Sequence, residues 1–578
     1  MTSDLSQKTR PTLYWILIVV GLGAMLGRIL AVDSVDRVEL EKVRVKEVPE
    51  KLKARREEMV RKGLNEAEIA KELERIEAAL RREALICRPF LSGNDRSRWC
   101  SLRALVEPEM RVEGAPYAID KVIQQPNWDT IDMVKHDRCY ERPEGPEPQY
   151  QRGERIKNWD GKQVGGHVYS SKPPLLPTML AGPYWAIYRL TGATLGTHPY
   201  FVGRILLVLV NVLPMLVYFW LLTRLAERFG ATDWGRLFAV AAGVFGTFLT
   251  TFAVVLNNHL PAAVCAIVVL YSAVRIWFDG QRRLRYFAAA GFFAAMLVAN
   301  ELPALALAAL LALGLLWKAP RQTLLAFVPA AAVVVAAFFG TNWIAHRTLR
   351  PAYCHRTGAD TWYDYTYIRN GRVIESYWKD PVGVDRGQPS PANYALHVLV
   401  GHHGVFSLTP VWLLTVLGVG IWLVRPGASQ PLERPRPRGE GDEPQGKAAE
   451  RRGGGPRPNA PAKGETTGSS RPADAPAAGG SLRTLAAAIA AVSLVVLGFY
   501  LAQPLENRNY GGVAAGLRWM FWFAPLWLVG LLPAADLLSR RAWTRWLGLL
   551  LLALSALSVS YPTWNPWIAP WLVEYMGP

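Results

Sequence analysis

Residues 173–192 read PPLLPTMLAGPYWAIYRLTG, and the side of a membrane on which most of the later loops lie turns on this stretch. It is apolar enough to cross a bilayer, yet it opens on Pro173-Pro174 and carries Pro177, Pro183 and Arg189. Around it lie the apolar runs 12–30, 200–223, 238–256, 260–277, 286–299, 301–317, 323–342, 405–424, 482–502, 519–538 and 545–561. Most are close to the ~20 residues that a helix needs to span hydrocarbon. The two short ones, 286–299 and 301–317, suit a pair that dips in and returns.

Charge decides the stretch. If 173–192 lies flat, the cytoplasmic connections hold Lys8 and Arg10, then Arg224, Arg228 and Arg236, then Arg275, Arg282, Arg283 and Arg285, then Lys318 and Arg321, and finally Arg540, Arg541 and Arg545. The short connections on the other side hold almost no Lys or Arg, with Arg508 and Arg518 the exceptions. If 173–192 spans, every later loop inverts and the positive-inside bias fails throughout. An interfacial helix is therefore expected. The fold class follows: an all-α integral membrane protein, a bundle of about eleven transmembrane helices with a large first extracytoplasmic loop carrying interfacial helices.

Composition agrees once it is divided. The chain has 578 residues, 51% of them hydrophobic, and 22 Trp. Its mean hydropathy of +0.10 averages apolar spans with very polar loops. The net charge of +18 sits in connections and in one linker, so it reflects topology and excludes a nucleic-acid surface as its main cause. The residue usage, rich in Ala, Arg, Gly, Leu and Trp, points to a high-GC bacterium. The expected location is the bacterial cytoplasmic (inner) membrane, multi-pass, with the active site facing the periplasm or exterior.

Six regions follow along the chain. Residues 1–35 hold the N-terminus and first transmembrane helix, read as retained rather than cleaved. Residues 36–90 are a charged insert: Ile69, Leu73, Ile76 and Leu80 mark one helix face, and Gly63 followed by Asn65 reads as a stop and a new cap, giving a helical hairpin over 36–88. A protein partner docking on that hairpin is one reading and a solvated spacer the other. Residues 91–199 form the extracytoplasmic catalytic loop with its interfacial helix. Residues 200–425 form the transmembrane core with an outer loop at 343–404. Residues 426–481 are Pro/Gly/Ala/Arg-rich without periodicity, a disordered cytoplasmic linker. Residues 482–578 hold the last transmembrane helices. Of the cysteines, Cys87, Cys100, Cys139 and Cys354 fall in outer loops where a disulfide is allowed, with its pairing open.

The chemistry-bearing residues gather on the outer side. Asp95 and Lys172 lie in the first loop, Asn257-Asn258-His259 and Asn300-Glu301 at outer tips, His402-His403 before the span at 405, and Asn507-Arg508-Asn509 with Arg518 at the last outer turn. Polar groups at membrane depth are costly and mark a functional cavity by default. Each also has a plain reading. Asp95 is placed to cap the helix that begins there. Lys172 is placed to snorkel, and the histidines to make interfacial hydrogen bonds. Taken together, Asp95 suits a general base, and Lys172 and Arg518 suit a lipid-linked phosphate. No Gly-rich nucleotide loop follows a strand.

At Asp95-Arg96-Ser97-Arg98-Trp99 and Tyr169-Ser170-Ser171-Lys172-Pro173-Pro174-Leu175 the chain resembles the GT-C glycosyltransferases, in particular the lipid A aminoarabinose transferase and protein O-mannosyltransferase type. Gly401-His402-His403-Gly404-Val405-Phe406-Ser407-Leu408-Thr409-Pro410 and Tyr510-Gly511-Gly512 with Gly516-Leu517-Arg518-Trp519 fit the same set. The resemblance implies a GT-C-like bundle, a polyprenyl-phosphate-linked sugar donor, and inverting transfer to a lipid, glycan or protein acceptor on the non-cytoplasmic face. It implies Asp95 as the catalytic residue and Lys172 as a donor-phosphate contact. Arg98, Tyr169, Asn258, His259, Glu301, His402, His403 and Asn509 are further site candidates. Relatives often carry a second acidic residue in the second outer loop, where this chain has Asn257-Asn258-His259. No cofactor is fixed; a divalent cation is the one candidate, without an assigned ligand set. The alternative reading is a transporter or flippase for a lipid-linked glycan, whose halves would repeat; no such repeat is visible. A catalytically inactive scaffold presenting the hairpin is the third.

Overall fold

In the computed structural model, residues 9–32, 47–84, 90–136, 166–356, 361–425, 478–563 and 565–576 are described. Most of the linker 426–481, the ends of the 36–88 insert, and Cys87 and Cys139 lie outside them. The chain opens on helix α1 (Thr9–Ala31), then α2 (Val48–Arg61), α3 (Glu66–Ala84), α4 (Gly93–Val106) and α5 (Leu175–Thr191). The body follows as α6 (Pro199–Phe229), α7 (Asp233–Phe245), α8 (His259–Trp277), α9 (Leu284–Asn300), α10 (Leu302–Lys318), α11 (Pro320–His346), α12 (Pro410–Val424), α13 (Leu482–Leu501), α14 (Arg518–Leu538) and α15 (Ala542–Ser560). Seven of these (α1, α6, α8, α11, α13, α14 and α15) are long and apolar enough to cross a membrane, and α9, α10 and α12 are shorter apolar helices. The protein is thus an α-helical, multi-pass membrane protein.

The surface pattern is that of a body bathed in lipid. α1 buries Tyr14, Ile18, Gly21, Met25 and Ile29, one stripe at helical spacing. Its other faces expose Trp15, Ile16, Val19 and Val20. Such a surface is stable only in an apolar medium, because water would be ordered over every exposed side chain. Where α12 crosses α14, Gly418 lies directly against the Gly530 carbonyl. A side chain at 418 would force the two helices apart, which is the use of small residues in membrane packing.

The expected run 238–256 is not one helix. α7 ends at Gly246, and a 3-10 turn over Thr251–Val254 follows. Thr247 favours this local break, since its hydroxyl competes for a backbone partner: Thr247 Oγ1 donates to the Gly243 carbonyl at 3.0 Å, while Thr251 Oγ1 reaches across to the Val559 carbonyl at 2.6 Å. The run 405–424 is likewise interrupted, with a short turn at Val405–Leu408 before Pro410 starts α12.

The hairpin expected in the charged insert is present. Gly63 takes φ +74° at the turn, a left-handed value that glycine adopts without strain. Asn65 Oδ1 accepts from the Glu68 amide at 2.9 Å while Glu68 Oε2 accepts from the Asn65 amide at 3.2 Å. That reciprocal pair is a capping box.

Two small extramembrane pieces cover one end of the bundle. In the first, β1 (Met133–Lys135) pairs antiparallel with β2 (Val168–Ser170), with Met133 opposite Ser170. α5 packs Leu175, Leu180 and Tyr184 inward and leaves Met179, Trp185 and Leu190 exposed. In the second, β3 (Thr366–Arg369) pairs with β4 (Arg372–Glu375). The two pieces clasp: Trp378 Nε1 donates to the Ile131 carbonyl at 2.8 Å, and Gln124 Nε2 to the Ile368 carbonyl at 2.7 Å.

Candidate functional site

α4 organises the site from its first turn. Ser92, not Asp95, is the N-cap: its hydroxyl accepts from the Asp95 amide at 3.2 Å. This overturns the capping role for Asp95, which sits inside the helix with its carboxylate free for other partners. Asp95 is buried, and its Oδ1 accepts from Trp99 Nε1 and from the Leu256 amide, both at 2.8 Å. Oδ2 is buried with no partner. Burial raises the Asp95 carboxyl to about 7, against the opposing pull of the Leu256 and Trp99 bonds and of Arg98 and Arg96.

Ser97, two residues on, ties this helix to the strand pair: its hydroxyl donates to the Asp132 carbonyl at 2.6 Å and is 2.6 Å from Ser170 Oγ. Across that pair, Lys172 Nζ donates to Asp132 Oδ1 at 2.9 Å. Burial lowers the Lys172 ammonium to about 8; Asp132 opposes the shift, and Arg98 and Arg518 add to it. Burial alone would raise Asp132, but Lys172, with Arg518 and Arg98, holds it below the usual carboxylate value.

Arg98 points to the tips of the membrane helices. It donates to Asn94 Oδ1 at 2.6 Å and to Asn258 Oδ1 at 2.6 Å. Asn258 Nδ2 in turn donates to Glu301 Oε1 at 2.7 Å and to the Asn300 carbonyl at 2.9 Å. His259 Nδ1 bonds the same Glu301 oxygen. A second carboxylate therefore does enter the site, supplied by Glu301 between α9 and α10 rather than by the tip that precedes α8. Asn257 Oδ1 caps α8, accepting from the His259 and Leu260 amides at 2.9 and 3.0 Å.

Arg518 closes the group from the start of α14. Its Nε donates to the Gly511 carbonyl at 2.8 Å and its guanidinium lies over Trp567 at 4.8 Å. Tyr510, Gly511 and Gly512 all take positive φ, so the carbonyl is presented by a turn in which two of three residues are glycine. Among the described residues no carboxylate forms an ion pair with Arg98 or Arg518, and the terminal nitrogens of Arg518 make no hydrogen bond. Burial, and next the charge of Arg518, lower the Arg98 guanidinium to about 10.

Other candidates fall elsewhere. Tyr169 stacks on His136 at 4.6 Å and meets His346 edge-on at 5.3 Å, in an aromatic core with Trp362. His402 and His403 bond each other, His402 stacks on His397 at 3.9 Å, and His403 stacks on Tyr510 at 4.7 Å. Among the described residues no hydrogen bond, ion pair or ring contact joins this histidine cluster to Asp95 or Glu301. Asn509 shapes the turn before Arg518, its Oδ1 accepting from the Gly511 amide at 3.2 Å. Among the described residues no three His, Cys, Asp or Glu side chains converge to hold a metal ion. Cys100, Cys265 and Cys354 form no disulfide with one another.

Asp132 and the Leu256 amide were not foreseen. Asp132 joins Lys172 only through the register of a strand pair whose halves are 33 residues apart at the nearest ends (135 to 168), and a backbone donor has no signature in side-chain identity. Fold and site together define a multi-pass helical membrane protein with a polar centre at one end of its bundle, in which two arginines form no ion pair among the described residues. No protein-family model matches the sequence, and neither a curated protein nor a solved structure is similar to it.

Proposed function

We propose that the protein is a GT-C-like membrane glycosyltransferase that moves a sugar from a polyprenyl-phosphate donor to an acceptor hydroxyl or amine. The observation that carries this reading is a pair of arginines without ion-pair partners beside a carboxylate with an unbonded oxygen. Among the described residues Arg98 and Arg518 form no ion pair, Lys172, paired with Asp132, stands with them, and Asp95 Oδ2 has no partner. Unpaired charge away from water is costly, so the arrangement suits an anion that arrives with the substrate.

In the proposed reaction Asp95 Oδ2 takes the acceptor's proton as the acceptor atom bonds to the anomeric carbon. The bond from that carbon to the phosphate oxygen breaks, and its electron pair leaves with the lipid phosphate. Arg98, Lys172 and Arg518 meet the phosphate charge by charge-assisted hydrogen bonds. Attack from the face opposite the leaving group inverts the anomeric carbon. A base near 7 is well matched to neutral pH.

The same proposal includes the topology. α7 with the following 3-10 turn completes an eleventh crossing beside the ten apolar helices. α5 lies in the interface, the N-terminus is cytoplasmic, and the site faces the periplasm of a bacterial inner membrane. The basic connections at the end remote from the site support this orientation.

The test is to incubate purified protein with a panel of polyprenyl-phosphate sugars and follow donor loss. Consumption of one donor with release of polyprenyl phosphate is expected. Binding and vectorial movement of an intact donor in vesicles would instead establish a flippase.

A further inference from the structure

His259 presents a contact that the reaction above leaves unused. The side chain is 3% exposed. Its Nδ1 bonds Glu301 Oε1, the oxygen that also accepts from Asn258 Nδ2; with that oxygen accepting, Nδ1 carries the ring proton and Nε2 is left as a lone-pair acceptor. That Nε2 is buried and has no partner. Leaving a buried polar atom unsatisfied costs stability. The ring is also held against the loss: Glu301 is gripped by Asn258, Asn258 by Arg98, and the ring edge by Phe521 at 6.1 Å between centroids. An imidazole oriented by three successive partners, with its free nitrogen buried, is built to receive a hydrogen bond from something that binds.

The chemistry of that ligand is constrained. An acceptor nitrogen cannot bond a phosphate or carboxylate oxygen that carries no proton; it needs an O–H or N–H. The anion belongs to Arg98, Lys172 and Arg518. In a phosphate-linked sugar the ring attached to the phosphate is the part that lies nearest those cations, and it carries the hydroxyls.

We propose that His259 Nε2 is a specificity-determining contact that accepts a hydrogen bond from one hydroxyl of the donor sugar, with Glu301 and Asn258 as its positioning residues. The proposal rests on the glycosyltransferase reading. It predicts discrimination at a single sugar position, because a site built around a hydroxyl rejects the analogue that lacks it.

The experiment measures donor binding and turnover for a polyprenyl-phosphate sugar and its singly deoxygenated analogues, using full-length protein without acceptor for the binding arm. Wild type should lose about tenfold in affinity for one analogue, equivalent to about 1.4 kcal/mol, and little for the others. His259→Asn keeps an N–H for Glu301 but has no atom where Nε2 lies. It should bind the full sugar about as weakly as wild type binds the critical analogue, and should no longer tell the two apart. His259→Gln, whose amide reaches the Nε2 position, should recover part of the discrimination. A His259→Asn protein that discriminates as wild type does overturns the proposal while leaving the transferase reading intact. So does a wild-type panel in which no analogue loses more than about threefold, a result that needs no variant to fold. If wild type neither binds nor consumes any polyprenyl-phosphate sugar, the transferase reading fails and the contact fails with it.

Discussion

The two ends of the helical bundle treat charge in opposite ways. At the end remote from the site, four cations are matched with carboxylates. Arg10 donates to both Glu227 oxygens at 2.6 and 2.8 Å and to Asp233 at 2.6 Å. Arg236 pairs with Asp233 at 3.2 Å, and Arg228 and Arg275 share Asp279 at 3.1 and 2.6 Å. Asp536 accepts from the Ala231 and Thr232 amides and from the Thr232 hydroxyl. At the site end, Lys172 is paired with Asp132, but among the described residues Arg98 and Arg518 form no ion pair, Asp95 keeps a bare oxygen and His259 a bare nitrogen. Matched charge holds helices together; unmatched buried charge costs stability and is retained where a ligand completes it.

The comparison breaks most sharply at Asp95. Asp95→Asn keeps an oxygen for Trp99 and Leu256 but removes the base, so transfer should fall by about two to four orders of magnitude. Turnover within tenfold of wild type would remove Asp95 from the chemistry. The fold should survive the change. The carboxyl rises from 3.8 to about 7 on folding, so the folded state holds the proton more tightly and the group opposes folding increasingly as pH rises between those values. The variant should therefore melt above wild type in detergent at pH 8 and lose that advantage near pH 4.

Arg518→Met tests the unmatched cations themselves. A charge-assisted bond contributes about 1.5–3 kcal/mol, so kcat/KM for the donor should fall roughly ten- to a hundredfold, with Arg518→Lys intermediate. If Arg518→Met loses folded yield but the remaining protein turns over normally, the Gly511 and Trp567 contacts are the residue's whole purpose.

Smaller effects follow from pH. Asp95 must be ionised to act, so activity should climb through about 7, its raised value. Lys172 must be charged to hold an anion, so activity should decline above about 8, its lowered value. A narrow bell is expected, with each limb approaching tenfold per unit. In Asp95→Glu the acid limb should move while the alkaline limb stays, and an unchanged acid limb would assign it to another group.

Much of this was open to reading in the sequence, and the rest was not, for physical reasons. The apolar runs and the bias of Lys and Arg are properties of composition along the chain, so α1, α6, α8 and α11 fall where hydropathy places them. The capping box at Asn65 and Glu68 is legible because its partners are three residues apart. Asp95, Lys172, His259, Glu301 and Arg518 stood out because ionisable side chains beside apolar runs are conspicuous. What joins them was not legible. The Arg98–Asn258–Glu301–His259 chain links residues up to 203 apart (98 to 301). The break after Phe245 goes with threonine hydroxyls bonded to carbonyls, Thr247 to Gly243 nearby and Thr251 to the distant Val559, and hydropathy scores those side chains as nearly neutral. The His402–His403 pair looked like part of the same centre because adjacency in sequence carries no direction, and the fold turned it toward Tyr510.

The least effect on function should come from the most conspicuous ion pair in the molecule. Arg10 makes three strong contacts at the remote end, and Tyr14 adds a fourth to Glu227 at 2.7 Å. Arg10→Met leaves Glu227 with Tyr14 and a long 3.9 Å contact to Arg236, so a part-buried carboxylate loses its main partner. Because Arg10 retains 16% side-chain exposure and Glu227 33%, water screens the loss, and about 1–2 kcal/mol of stability should go rather than the full cost of a buried pair. Turnover per folded molecule should stay within about twofold of wild type, a change of under 0.5 kcal/mol. A tenfold fall at full folding would mean that the two ends are coupled through α1 and α7, and that matched charge there does more than hold helices in place.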